Sequence, residues 1–267
     1  MKINIEDIKK LAKQAGRKTL EFYTDGMKVY RKEDHSPVTK ADMESNKIIE
    51  KGLGKYGRVV LSEEGTDDKR RLGAEEIWIV DPLDGTEDFI RRTGEFSIMI
   101  GLSVGGEPEL GVIYEPTSDR LYWGLKNQGA FLEQNGKKKK LKASLVKDFS
   151  QMTLLMSRNH TGEVEVELAK KLKVKKSVKI GSCGIKIVKI AGGSGEIYIN
   201  SSSKSSQWDT CAGVAILQEA GGKITDMNGN ELVYNERETR HLKGHVTSNG
   251  LKHGEIIKAL KERKENL

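Results

Sequence analysis

Apolar and polar positions alternate with a helical period near the start of the chain. Within residues 3–23 the apolar side chains recur every three or four positions, at Ile5, Ile8, Leu11, Ala12, Ala15 and Phe22. This spacing predicts an amphipathic helix. A short strand is predicted near residues 28–31, followed by a polar loop at 32–37. A second helix is predicted to begin at Thr39.

Short apolar runs separated by turn residues follow. They predict strands at 58–61, 77–80, 96–103, 109–114, 121–124 and 130–132. The last four form an antiparallel meander, because Gly, Pro and Ser residues interrupt them. Asn135 and Gly136 signal a hairpin turn, so the lysines at 137–140 are interpreted as a solvated hairpin edge that resists pairing. A nucleic-acid-binding patch is the alternative interpretation of this lysine run.

The pattern changes near residue 148 to an alternation of strands and helices. Strands are predicted at 153–156, 177–180, 196–200 and 223–225, and helices at 162–173, 184–192, 209–220 and 253–265. Such alternation is typical of an α/β layer. We therefore divide the chain into an α+β half, residues 1–148, and an α/β half, residues 149–267. The two halves are expected to pack tightly, with the functional site between them.

Composition points to a small anionic ligand. The 267 residues contain 46 Lys and Arg against 39 Asp and Glu, a net charge of +7. A positive balance suits an anionic partner, and no nucleic-acid-reading motif is present. We therefore expect an anionic partner other than a nucleic-acid polymer; the resemblance described below implies a small-molecule phosphate ester. The sequence leaves the oligomeric state open, a homodimer included.

Cysteine usage and hydropathy predict a cytoplasmic protein. Cys183 and Cys211 are the two cysteines and form no Cys-x-x-Cys pair, so no disulfide framework is indicated. The first residues lack the apolar core of a signal peptide. No apolar run approaches the ~20 residues that span a bilayer, so no membrane association is expected.

The strongest chemical signal lies at residues 81–86, Asp-Pro-Leu-Asp-Gly-Thr, directly after a predicted strand. Asp81 and Asp84 at the end of an apolar strand are costly unless a cation holds them. Mg²⁺ is a natural occupant, because it prefers oxygen ligands. Gly85 permits a sharp turn, and Thr86 offers a hydroxyl and an amide at a helix start, where phosphate binds. A surface Asp-Pro turn is the alternative.

Two further segments extend the motif. A Glu-Glu pair at Glu63 and Glu64 precedes it, and Trp208-Asp209 lies far downstream before an apolar helical run. With these residues the chain resembles the inositol monophosphatase superfamily of Mg²⁺-dependent, lithium-sensitive phosphatases. The resemblance covers nearly the whole chain and implies a layered α-β-α-β-α sandwich of the sugar-phosphatase type.

The same resemblance implies the roles of individual residues. The metal ligands, for two or three Mg²⁺ ions, would be Glu63, Asp81, the Leu83 carbonyl, Asp84 and Asp209. Thr86 and Glu63 would orient the attacking water, and Asp42 would join this network. The substrate would contact Asp84, Gly85, Thr86 and Asp209.

Each of these roles has a structural alternative. Asp42 stands three residues after Thr39 and fits a capping box, and Asp209 fits a cap of the helix that follows it. Glu64 is expected to face solvent. A lone His160 is commonly a structural or surface histidine.

Residues outside the metal motif suggest a substrate. Residues 94–96, Gly-Glu-Phe, and the loop from Ser157 to His160 resemble the 3'(2'),5'-bisphosphate nucleotidase branch, although Asn159 replaces its usual serine. Residues 181–186 resemble that branch's glycine-rich turn. The resemblance implies that Ser157, His160 and Ser182 contact the nucleotide and that Lys186 contacts its 5'-phosphate. The predicted activity is removal of the 3'-phosphate from 3'-phosphoadenosine 5'-phosphate.

Three other functions stay open. Inositol-1-monophosphatase is the main alternative, but its branch places an acid before Trp-Asp, and residues 200–206 contain none. Fructose-1,6-bisphosphatase activity occurs in the same superfamily. A non-catalytic phosphate-binding regulator would have lost some of the motif residues, all of which are present here.

Overall fold

The computed structural model describes residues 3–24, 28–32 and 36–265, so residues 33–35 of the predicted polar loop lie outside the described part. The helices are α1 Ile5–Leu20, α2 Lys40–Leu53, α3 Thr86–Ile90, α4 Glu163–Leu172, α5 Cys183–Ala191, α6 Cys211–Glu219 and α7 His253–Glu265. The strands are β1 Val29–Arg31, β2 Pro37–Thr39, β3 Val59–Ser62, β4 Glu76–Asp84, β5 Ser97–Val104, β6 Glu107–Glu115, β7 Arg120–Leu125, β8 Gly129–Gln134, β9 Lys137–Lys140, β10 Thr153–Ser157, β11 Lys176–Ile180, β12 Ile197–Asn200, β13 Lys223–Thr225 and β14 His245–Ser248.

The first two helices each begin directly after a capping residue. The Asn4 side chain accepts a hydrogen bond from the Glu6 amide at the start of α1. Thr39 and Asp42 form a reciprocal capping box at the start of α2, which satisfies amides that the helix itself cannot pair. The apolar faces of both helices are buried, as the helical periodicity predicts.

Within the described residues, strands β3 to β9 form a seven-stranded sheet in chain order. β3 and β4 are parallel, and the remaining neighbours are antiparallel. The hairpin between β8 and β9 turns through Asn135 and Gly136, both with positive φ, as a two-residue hairpin turn requires. The four lysines of β9 are exposed at the sheet edge, so the predicted hairpin edge is confirmed.

A five-stranded sheet has the order β11-β10-β12-β14-β13. β10 pairs in parallel with β11 and β12, whereas β14 pairs antiparallel with β12 and β13. The sequence did not predict β14, because it is four residues long and follows a polar segment. It did not predict β2 either, a three-residue strand that pairs with β1.

The elements stack in five layers, which confirms the expected α-β-α-β-α sandwich. α1 and α2 cover one face of the seven-stranded sheet, α5 and α6 lie between the two sheets, and α4 and α7 cover the outer face of the five-stranded sheet. The packing of α6 is close: a Cβ added at Gly111 of β6 would lie 2.0 Å from the Ala212 carbonyl oxygen. A helix from the C-terminal half is therefore seated directly on the N-terminal sheet.

β4 is longer than the predicted strand at 77–80. It continues to Asp84 with an irregular register against β5 between Asp81 and Asp84. Residues 81–84 are consequently buried at the end of an interior strand and Gly85 and Thr86 are half-buried, so the alternative of a surface Asp-Pro turn is wrong. Across the residues described, no helix combines the length and apolar character needed to cross a bilayer.

Candidate active site

Three carboxylates meet where β4 ends and α6 begins. Asp81, Asp84 and Asp209 each place one oxygen within 4.8 Å of the others. Asp81 is 1% exposed and Asp84 is 6% exposed. Burial raises the pKa of Asp209 to about 8, with further contributions from the charges of Asp84 and Glu63. Burial and then the neighbouring acids also raise the pKa of Asp81 well above its usual range.

Uncharged groups hold these carboxylates in place. Asp84 accepts hydrogen bonds from the Ser182 hydroxyl, from the Cys183 amide at 3.0 Å and from the Gly184 amide at 2.8 Å. The Leu83 amide donates to Asp81 Oδ1 at 3.0 Å. The Ser206 amide donates to Asp209 Oδ2 at 2.5 Å within a capping box. Asp209 thus closes the single helical turn Gln207–Asp209 and belongs to the acid cluster. It does not cap α6, as the structural alternative expected, because the N-cap of α6 is Thr210.

The cluster fits a divalent cation. Asp81 and Asp84 are buried and Asp209 is half-buried, so their carboxylates repel one another. In the described part of the chain their hydrogen-bond donors are neutral amides and hydroxyls, which leave the negative charge uncompensated. Carboxylate oxygens are the ligands that Mg²⁺ prefers in proteins. A bound Mg²⁺ would remove the repulsion that raises the pKa values of Asp81 and Asp209.

Glu63 lies beside the cluster rather than within it. Its charge raises the pKa values of Asp81 and Asp209, and its Oε1 lies 2.7 Å from Lys32 Nζ. The same ammonium lies 2.5 Å from Glu64 Oε1. Burial alone would lower the pKa of Lys32, but the two glutamates together raise it.

The expectation that Glu64 faces solvent is wrong. Its side chain is 6% exposed, because Lys32 holds it against the protein. Burial and the adjacent charge of Glu63 raise the pKa of Glu64 to about 7. Lys32 and the Glu63–Glu64 pair therefore form a partly buried charged group next to the three-acid cluster.

The hydroxyl of Thr86 connects two parts of the site. Thr86 Oγ1 lies 3.0 Å from Asp42 Oδ1 and 3.2 Å from the Leu83 carbonyl oxygen, and it donates to these acceptors. The other carboxylate oxygen of Asp42 accepts from the Thr39 amide and hydroxyl. Asp42 thus serves both as the predicted cap and as the partner of Thr86. Burial raises its pKa.

Gly85 makes the turn between these groups possible. Its φ of +92° lies in the left-handed region, and an added Cβ would lie 3.0 Å from the Glu95 carbonyl oxygen. Glycine adopts this conformation without steric cost. The turn brings the Leu83 carbonyl, itself predicted as a metal ligand, within hydrogen-bonding distance of Thr86.

The predicted nucleotide contacts separate into two groups. Ser157 and His160 share a loop, in which the His160 amide donates to Ser157 Oγ at 3.1 Å and the His160 residue is exposed. Ser182 is buried, and its hydroxyl donates to Asp84. Ser182 therefore lies in the acid site, while Ser157 and His160 lie on a neighbouring loop.

Lys186 does not have the exposed position expected of a phosphate ligand. The residue is 2% exposed, and its Nζ donates to the carbonyls of Ile180 at 3.4 Å, of Gly181, and of Ser182 at 2.8 Å. Burial lowers its pKa. The expected direct contact between Lys186 and the 5'-phosphate does not hold in this structure, because its ammonium is already held by main-chain oxygens.

The sequence pattern assigned no role to three charged residues near the site, Arg158, Asp88 and Glu95. The Arg158 guanidinium bridges Asp88 and Glu95, with a Nε–Oδ1 distance of 3.1 Å and an Nη2–Oε2 distance of 2.5 Å. Asp88 and Glu95 are more than 60 positions from Arg158 in the chain, so no local pattern could have paired them.

Comparisons with known proteins identify the family of this chain. The sequence profile of the inositol monophosphatase family matches residues 4–265. A 3'(2'),5'-bisphosphate nucleotidase CysQ of Salmonella typhimurium is 36% identical over 241 residues, which covers 88% of this chain and 95% of the relative. The CysQ of Escherichia coli K12 is 34% identical over 240 residues, with the same coverage of 88% and 95%.

Solved structures share the fold. CysQ of Bacteroides thetaiotaomicron, described as a bacterial member of the inositol monophosphatase family, superposes with a TM-score of 0.79 at 31% identity and covers 91% of this chain and 96% of its own. An IMPase of Thermotoga maritima superposes with a TM-score of 0.83 at 24% identity, covering 98% of both chains. The latter similarity establishes the fold alone.

Proposed function

Because this chain belongs to the inositol monophosphatase family and is a phosphatase, we propose that it removes the 3'-phosphate from 3'-phosphoadenosine 5'-phosphate in a Mg²⁺-dependent reaction. The observation that carries this proposal is the 36% identity over 241 residues to a relative named as a 3'(2'),5'-bisphosphate nucleotidase. The buried cluster of Asp81, Asp84 and Asp209 supplies the matching chemistry.

The proposed metal site is formed by Asp81, Asp84 and Asp209, with Glu63 and the Leu83 carbonyl beside them. Bound divalent cations would neutralise phosphoryl oxygens, stabilise the leaving oxygen and lower the pKa of a coordinated water. Asp84 is fixed by three donors from Ser182 and the start of α5. Such fixed ligands hold the site in the geometry that the reaction requires.

Thr86 and Glu63 are proposed to orient the attacking water. Thr86 donates its proton toward Asp42 and the Leu83 carbonyl, so the lone pairs of its oxygen can accept a hydrogen bond from water. Burial first, and then the charge of Asp42, raise the pKa of Glu63. One carboxylate oxygen of Glu63 accepts from Lys32, and its other oxygen would accept the second proton of that water.

The nucleotide portion of the substrate is proposed to contact the loop from Ser157 to His160. The exposed His160 ring can stack on or hydrogen bond to a base, whereas a bare polyol offers no aromatic face. The segment 200–206 before Trp208 contains no carboxylate, which argues against a site built to bind sugar hydroxyls.

The amides at the start of α3, which lack intrahelical partners, suit the scissile phosphate.

A panel of substrates tests this proposal. Phosphate release from 3'-phosphoadenosine 5'-phosphate, inositol 1-phosphate and fructose 1,6-bisphosphate is measured at one saturating Mg²⁺ concentration. We expect the highest kcat/KM for the bisphosphate nucleotide. A higher kcat/KM for inositol 1-phosphate or fructose 1,6-bisphosphate would replace the proposed substrate with that ester, while leaving the phosphatase assignment intact.

A further inference from the structure

The turn that opens α5 is held from two sides. We call residues 180–182, which connect β11 to α5, the Gly181 turn. On one side, the Lys186 ammonium donates to the carbonyl oxygens of Ile180, Gly181 and Ser182. From the other side, Glu95 accepts the Gly181 amide on its carboxylate at 2.7 Å and the Ser182 amide on its main-chain oxygen at 3.2 Å. The turn is thus restrained through both its amides and its carbonyls.

Arg158 fixes the outer side of this restraint. Its guanidinium contacts Glu95 and Asp88 together, and Asp88 also accepts from Asn159 at 2.9 Å and Thr93 at 2.9 Å. The Asp88 carboxylate packs against Gly181. A Cβ added at Gly181 would lie 2.5 Å from Cγ of Asp88. The guanidinium is planar and can bind two carboxylates at fixed angles. The position of Glu95 against the Gly181 turn therefore depends on Arg158.

The position of Asp84 depends on the Gly181 turn. Ser182 donates its hydroxyl to Asp84, and the next two residues, Cys183 and Gly184, donate their amides. A displacement of the turn moves all three donors together. The path from Arg158 to Asp84 therefore consists of direct hydrogen bonds through Glu95 and the start of α5.

We propose that Arg158 is a positioning residue for the Asp84 carboxylate, acting through Glu95 and the Gly181 turn. This inference rests on the proposed function, because it takes Asp84 as a metal ligand. It differs from the expectation that the loop from Ser157 to His160 serves the substrate alone. In this account the same loop also fixes the metal site.

Charge argues against Arg158 as a direct phosphate ligand. The guanidinium carries +1, while Asp88 and Glu95 carry −1 each, so the group has a net charge of −1. Nε and Nη2 already donate to these carboxylates. A phosphate that approached the remaining N–H groups would meet the net negative charge of the group.

The test is the affinity for Mn²⁺ without substrate, measured by titration calorimetry on the full chain. Mn²⁺ is used because it also prefers carboxylate oxygens. The variants are Arg158→Ala and Arg158→Lys, with Arg91→Ala as the matched control. Arg91→Ala removes the same charge from the same neighbourhood, because Arg91 donates to Asn159 at 2.6 Å. Arg91 also lies 3.7 Å from the Glu87 carboxylate, so its contacts differ from those that Arg158 makes with Glu95.

We expect Arg158→Ala to weaken Mn²⁺ binding about tenfold, as loss of a residue that orients a metal ligand does. Arg158→Lys should recover part of the affinity, and Arg91→Ala should leave it unchanged. If Arg158→Ala does not fold, Glu95→Gln takes its place, because it keeps an oxygen for the Gly181 amide and removes the charge that Arg158 binds.

Unchanged Mn²⁺ affinity in Arg158→Ala, or an equal loss in Arg91→Ala, would overturn the inference. A rise in KM for the bisphosphate nucleotide at unchanged Mn²⁺ affinity would make Arg158 a substrate contact instead. Asp84→Asn separates the two proposals. If wild type binds Mn²⁺ and Asp84→Asn does not, the metal site stands whatever Arg158 does; if both bind equally, Asp84 is not a ligand and the proposed metal site fails first.

Discussion

At the scale of single residues, the Thr86 hydroxyl has the most specific geometry in the site. It donates toward Asp42 at 3.0 Å and toward the Leu83 carbonyl at 3.2 Å, and both acceptors are buried. Because the hydroxyl has a single proton, this arrangement directs that proton toward these two acceptors. The oxygen is left to accept a hydrogen bond from water, which is the role proposed for it.

We predict that Thr86→Ala lowers kcat by at least a hundredfold and changes KM less than threefold. An interaction made mainly in the transition state affects kcat rather than ground-state binding, and positioning of this kind contributes about 10²–10⁴-fold. Steady-state kinetics at saturating Mg²⁺ measure both constants, with Thr86→Ser as the variant that retains the hydroxyl. A defect confined to KM would mean that Thr86 binds phosphate only.

Residue types and their spacing pointed to Asp81, Asp84 and Thr86, and the family resemblance added Asp42, Glu63 and Asp209. Asp81, Asp84 and Thr86 stand close together in the chain, and the strand before them predicts where they lie. The burial of Glu64 was not predictable, because Lys32 holds it from 32 positions away. The group of Arg158, Glu95 and Asp88 was missed for the same reason, since tertiary contacts alone bring it together.

At the scale of elements, α5 and the turn before it connect the acid site to its surroundings. Lys186 is the fourth residue of α5, and its ammonium donates to the carbonyls of the Gly181 turn. The first residues of α5 donate their amides to Asp84. The glycine-rich pattern at 181–186 predicts such a turn correctly. It does not reveal that the lysine points beneath the turn, because sequence spacing alone does not give side-chain direction.

We predict that Lys186→Met lowers kcat/KM by the same factor for 3'-phosphoadenosine 5'-phosphate and for inositol 1-phosphate. The buried ammonium contacts the protein rather than the second phosphate, so its loss affects both substrates alike. The unpaired carbonyls should also cost about 1–3 kcal/mol of stability, measured by denaturant unfolding. Lys189→Met, a half-buried lysine on the same helix, is the control. A loss limited to the bisphosphate would restore Lys186 as a phosphate ligand.

The regular elements were predictable because their periodicity is strong. Helices α1, α2 and α7 and the meander from β5 to β8 follow from apolar spacing and from turn residues. β14 was missed because four buried residues, His245–Ser248, are too few to establish a period. The strand predicted at 77–80 was shorter than β4 because Asp and Pro are unfavourable in strands. The structure accommodates Asp81, Pro82 and Asp84 where the register against β5 is irregular.

At the scale of the whole molecule, the acid site exists because distant parts of the chain meet. Asp81 and Asp84 end a strand of the first sheet, whereas Asp209 precedes α6, which is packed against that sheet. The contact between Gly111 of the sheet and Ala212 of α6 shows how closely the helix and the sheet approach. The layer order followed from the family resemblance and from the strand-helix alternation, but the depth of burial of the carboxylates required the structure.

The central claim is that this buried acid cluster holds the metal on which phosphate ester hydrolysis depends. The most direct measurement is phosphate release from 3'-phosphoadenosine 5'-phosphate against Mg²⁺ concentration for wild type and Asp84→Asn. Asp148→Asn, which removes an exposed acid remote from the cluster, serves as the control. We predict that wild type and Asp148→Asn lose activity with chelator and regain it with Mg²⁺, while folded Asp84→Asn stays at least a hundredfold less active at saturating Mg²⁺, since truncation of a charged group that acts in the transition state costs several kcal/mol. Near wild-type turnover of Asp84→Asn, or full wild-type activity in the presence of chelator, would contradict the account.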